Sequence, residues 1–161
     1  MSLVIEGISL GILLYLICAF GIRNGAIGMI HLYGQNVQDR VVELGLISRE
    51  KIHKHSIMFK IFCIAGYLSY VIICVYLVNG ARGFKEGFWQ CFIILSIMNL
   101  IDRILIDEYW VNHTTAWIIP GTEEFRPYIT AKEKQIKWIT GTLGMAIISA
   151  ILAGIMALIL K

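Results

Sequence analysis

Between Asn99 and Trp117 the chain gathers its most chemically capable side chains: Asn99, Asp102, Arg103, Asp107, Trp110, His113 and Trp117. At roughly 100° per residue in an α-helix they share one arc of about 140°. Leu100, Ile101, Ile104, Leu105 and Val111 fill the rest of the circumference. Two carboxylates, a guanidinium and an imidazole on one face offer distinct chemistries. Arg103 can hold an anionic group, and Asp102, Asp107 or Glu108 together with His113 can activate water or a headgroup hydroxyl by acid–base catalysis. The same groups can also do no more than pair, Arg103 with Asp107 one turn on and Asp102 with another helix. Asp102 and His113 stand about 16 Å apart along a continuous helix. That is too far to share a metal ion directly, but it suits an elongated ligand or a proton path.

The helix that must carry this stripe belongs in a membrane. Of 161 residues, 58% are hydrophobic and 16% charged, with a mean hydropathy of +0.74; a soluble domain carries about 25% charged residues. Four stretches are long enough to cross about 30 Å of hydrocarbon, at about 3–22, 57–78, 88–106 and 139–160. The first lacks a basic leader and carries Glu6, which marks it as a retained span rather than a signal peptide. Charge at bilayer depth costs several kcal/mol unless paired or hydrated, so the stripe is expected to face a polar interior.

Basic residues orient the spans. Arg23, Arg40, Arg49, Lys51, Lys54 and Lys60 follow the first span, and Arg126, Lys132, Lys134 and Lys137 follow the third; only Arg82, Lys85 and Lys161 oppose them. The positive-inside rule then places segments 23–56 and 107–138 in the cytoplasm and both chain ends outside. The expected fold is all-α: one domain over 1–161, a polytopic four-helix transmembrane bundle with a helical and loop cytoplasmic layer, in the plasma (inner) membrane. The stripe would descend to the cytoplasmic interface, where Trp110 and Trp117 also suit interfacial anchors and Pro120-Gly121 turns the chain.

Local signals punctuate the two segments. Gly21, Gly25 and Gly28 permit either close approach or a flexible exit from the first span. A short amphipathic helix is expected over Val37–Leu44, capped by Gly45. Ser48 is a good N-cap, and Thr130-Ala-Lys-Glu133 reads as a capping box. At an offset of 82, Ser48 aligns with Thr130 and His31 with His113, a hint of duplication. The last span is rich in small residues (Ala146, Ala150 and Gly154; Ser149, Ala153 and Ala157), which predicts tight packing within the bundle, across a homodimer or against a larger membrane complex.

His31 is the natural second histidine. With His113 and Glu108 it forms a candidate metal set, and the two imidazoles could serve as axial haem ligands, although no spacing signature supports either and no cofactor is specified. His53 and His55 sit among lysines as a solvated helix face. Cys18, Cys63, Cys74 and Cys91 form no Cys-x-x-Cys pair and read as small core residues. No concentrated basic face favours nucleic acid, and no nucleophile elbow, P-loop, zinc-protease or dinucleotide motif is present. The leading expectation is a small polar or amphipathic ligand, a lipid headgroup or metabolite, bound by Asn99, Asp102, Arg103, Asp107, Trp110, His113, Trp117 and His31, with transport requiring a dimer. The alternatives are a membrane enzyme on lipid-like substrates, with Asp102, Asp107 and His113 as its acid–base groups, and an accessory subunit. The loop Pro120–Tyr128 is either a lid over this site or a structural turn.

Overall fold

A computed structural model describes residues 2–160; Lys161, counted above with the outer charges, lies outside them. Among the described residues there is no strand. Helices α1 (Leu3–Ile22), α2 (Gln35–Glu43), α3 (Arg49–Ile72), α4 (Gly83–Ile101) and α5 (Ala131–Ile159) carry the fold. α3 and α4 run on into wider π-helical turns at Ile73–Val78 and Asp102–Val111. The result is four rods, Leu3–Ile22, Arg49–Val78, Gly83–Val111 and Ala131–Ile159, long and apolar enough to cross a membrane. At 1.5 Å per residue the last three exceed 40 Å or so, which leaves room for charged turns beyond an apolar layer of about 30 Å.

Local chemistry sets the helix starts. Ser48 accepts the Lys51 N–H at the head of α3, and Thr130 and Glu133 satisfy each other's backbone donors at the head of α5. α2 starts at Gln35, two residues before the amphipathic stretch, and buries Val37 and Val41. It ends on Gly45, whose φ of +69° suits a residue without a Cβ. Hydrogen bonds from Arg49 and then Gln35 hold the Asp39 carboxyl below the usual carboxylate range.

α4 is the centre of the bundle, with α1 on one side and α5 on the other. α1 lies parallel to it through Gly7 and Gly11. A Cβ on Gly7 would fall 2.6 Å from Ile97 Cβ, and one on Gly11 2.5 Å from Ile101 Cδ1. α5 is antiparallel, with Gly141 lying over the Asn99 amide and Ser149 and Ala153 fully buried. Only part of α5's small-residue surface is used in this way, since Gly144 and Gly154 have open space beside them. At the far end of α1, Glu6 is fully buried, and its Oε2 accepts a hydrogen bond from Asn79 Nδ2 at 3.0 Å. Outward faces are apolar, as at Phe62 (73% exposed) and Leu77 (77% exposed), which suits a hydrocarbon surround. The alternating rods bring residues 23–48 and 112–130 to one end, and the site lies at that end.

Candidate functional site

The π-helical turns decide which side chains meet. Such turns bond N–H to the carbonyl five residues back and hold more residues per turn than an α-helix. Eleven residues complete roughly three α-turns but fall well short of three of these. Asp102, Ile106, Asp107 and Val111 therefore come round to a common cavity of about 350 Å³, while His113 is carried away from it. His113 is exposed; its Nδ1 donates to the Glu108 carbonyl at 2.7 Å and its ring stacks on Tyr109.

Inside the cavity wall, one guanidinium nitrogen of Arg103 bonds Asp102 and another bonds Asp107. Lys137 reaches across from α5 to Asp107 at 3.1 Å. These four formal charges cancel, which makes the set tolerable in a low-dielectric interior. Arg103 Nε is buried without a hydrogen-bond partner. Glu108 points elsewhere and pairs with Lys134.

The opposite wall comes from Leu14 and Cys18 of α1, Phe59 of α3 and His31. After α1 the chain turns through Gly25 at φ +105° into the 3₁₀ segment Ala26–Leu32, pinned by buried Met29 and Ile30. His31 leans on the Phe59 ring at 4.8 Å. Both of its ring nitrogens are buried and neither has a partner, an arrangement that native proteins rarely leave without use. Burial pushes its pKa down to about 4, with His55 and Lys60 adding to the effect. The imidazole is thus neutral near pH 7, offering one donor and one acceptor.

That depressed value makes stability pH-dependent. Between about pH 6.5 and 4 the unfolded chain takes up a proton that folded His31 refuses. The stabilisation is in place above pH 6.5 or so and is lost as the pH falls through about 4. Melting temperatures in detergent at pH 7 and pH 4.5 should therefore fall further for the wild type than for His31→Phe. Equal falls would contradict a buried neutral imidazole.

The remaining wall is the loop between α4 and α5. Trp117 is 2% exposed. It reaches the cavity from the turn after the helix, not from the helix face that the periodicity assigned to it. Tyr33 donates to the Trp117 carbonyl at 2.5 Å, and burial pushes its phenol pKa upward. Thr122 Oγ1 lies 2.9 Å from the Tyr128 hydroxyl, and the Asn112 amide bonds both the N–H and the carbonyl of Ile129. Pro120–Tyr128 is therefore a hydrogen-bonded turn that brings Tyr128 to the cavity lining. Trp110 packs behind it, between Tyr15 (4.6 Å) and Trp117 (5.3 Å).

Of the side chains named from sequence, the cavity gathers His31, Asp102, Arg103, Asp107 and Trp117 and leaves Asn99, Trp110, Glu108 and His113 outside its lining. Periodicity gave no sign of Cys18, Phe59, Tyr33, Tyr128 or Lys137. The one available signal was aromatic density in segments otherwise read as connections. Among the described residues no group of three or more His, Cys, Asp or Glu side chains is placed to hold a metal ion, and His31 and His113 do not face a common space for a haem. No protein-family model matches the chain, and no curated protein or solved structure matches it either.

Proposed function

We propose that the chain is a plasma (inner) membrane protein with its basic segments in the cytoplasm, binding a small polar or amphipathic ligand, a lipid headgroup or metabolite, in the His31–Arg103 cavity. One observation carries this reading: an imidazole with both nitrogens buried and unpartnered faces a hollow walled by a compensated ion cluster. A dry structural ion pair needs no such hollow, and a partnerless buried imidazole is costly unless something visits it. The volume lies within the range of small-molecule sites, about 300–1,000 Å³. Four rods are few for a lone carrier, so transport of the ligand would take a second copy of the chain.

The neutral imidazole also favours a second reading, a membrane enzyme on a lipid-like substrate. There His31 rather than His113 is the base, and the Asp102 oxygen not bonded to Arg103 orients a hydroxyl.

Tryptophan fluorescence tests the binding reading, because Trp117 lines the cavity. A short-chain phospholipid titrated into the detergent-solubilised protein should shift the emission. His31→Ala should weaken binding at least tenfold, and Cys18→Phe, which fills the hollow, should abolish it while helicity is retained. Unchanged affinity in both variants would contradict the proposal.

A further inference from the structure

His31 borders a second space. On its other side a groove of about 710 Å³ opens toward the basic segment, walled by Gln38, Arg49, His53, Ser56 and Lys60 among others. The groove and the cavity differ in chemistry. The cavity's two cations are matched by two carboxylates. The groove sets Arg49, Lys60 and His53 beside the acid Glu50. Arg49 is engaged by Asp39, whereas Lys60, just inside the apolar part of α3, has no ion pair among the described residues. A lysine at that depth directs its ammonium toward the interface, where a phosphate would meet it.

Building on the cavity reading, we infer that groove and cavity are two halves of one site for an amphipathic phosphate ester. The phosphate lies in the groove against Lys60, His53 and Arg49. The uncharged remainder passes His31 into the cavity. Its ester or hydroxyl oxygens accept from Arg103 Nε and the Trp117 indole N–H, two buried donors without partners, and its apolar part lies along Leu14, Cys18 and Phe59. The division follows from pairing: both cations of the cavity are engaged by carboxylates, whereas Lys60 in the groove has no ion pair among the described residues and gains a charge-assisted hydrogen bond to an anion.

The full chain in a neutral, phosphate-free detergent is titrated with dihexanoyl phosphatidic acid, dihexanoylglycerol and glycerol 3-phosphate, read by tryptophan emission. Phosphatidic acid should bind at least tenfold more tightly than dihexanoylglycerol. The double variant Lys60→Gln, His53→Gln alters two exposed side chains and should erase that ratio without weakening dihexanoylglycerol. Glycerol 3-phosphate binding as well as phosphatidic acid assigns a water-soluble ester, and weaker binding assigns a lipid; either outcome supports the shared chemistry. A phosphate ratio near one, or one that survives the double variant, overturns this inference and leaves the cavity reading standing. Binding by none of the three overturns both.

Discussion

Arg103→Met will cost about 3–5 kcal/mol of stability, the range for removing one partner of a buried ion cluster. Methionine replaces most of the hydrophobic stem, so the loss reports charge rather than volume. Asp102 then has no cation, because Lys137 reaches only Asp107. At roughly 2–4 °C per kcal/mol for a chain of this length, the melting temperature should fall by about 6–20 °C. The sign of the effect depends on context. Neutralising Asp102 as well, as Asp102→Asn with Arg103→Met, should recover much of the loss, since Asp107 keeps Lys137 and no stranded charge remains. If the single variant melts within a degree or two of wild type, the cluster is hydrated and the compensated interior described above is wrong.

The second large effect is steric. Gly7 and Gly11 allow α1 to lie directly on Ile97 and Ile101 of α4, with no room for a Cβ at either position. Without a hydrophobic drive between helices in lipid, such close contact is what holds them together. Gly7→Leu with Gly11→Leu forces α1 outward. Overpacking costs about 1–3 kcal/mol per site, and the two neighbouring sites will not add simply. Ile97→Ala in the Gly7→Leu background should restore part of the stability by returning volume. Gly144→Ala is the control: nothing lies within 4 Å of its added methyl group, and helix propensity alone favours alanine. The prediction is read from detergent unfolding curves, and a double leucine variant as stable as wild type would remove α1–α4 packing from the account.

Sequence periodicity captured the rods and their starts because those depend on local physics. An apolar run of sufficient length, Ser48 ahead of α3 and the Thr130–Glu133 box ahead of α5 each act within a few residues. The stripe was only half legible. A single α-helical pitch placed Asp102 and His113 on one face, but the π-helical turns over Asp102–Val111 break that register, and nothing local in the sequence announces them. Steps of five and four residues from Asp102 to Asp107 to Val111 are the trace they leave. Trp117 reached the cavity by a route that periodicity cannot encode, a turn held by Tyr33 from a distant segment. The Gly7-x-x-x-Gly11 spacing is legible in the sequence, but spacing alone does not separate it from the small residues of α5, where Gly144 and Gly154 meet nothing among the described residues. Ser48 and Thr130, at the offset of 82, do cap equivalent rods, whereas His31 and His113 end in unlike surroundings. The duplication hint therefore extends to helix starts and not to the site.

The function proposed above requires a ligand in the His31–Arg103 hollow while the protein is in the membrane. Native mass spectrometry of protein extracted gently from membranes tests it most directly. Wild type should retain an adduct of defined mass, and Cys18→Phe and His31→Ala, both folded by circular dichroism, should lose it. The same adduct on all three proteins, or a bare wild-type mass under conditions that preserve known lipid complexes, would contradict the claim.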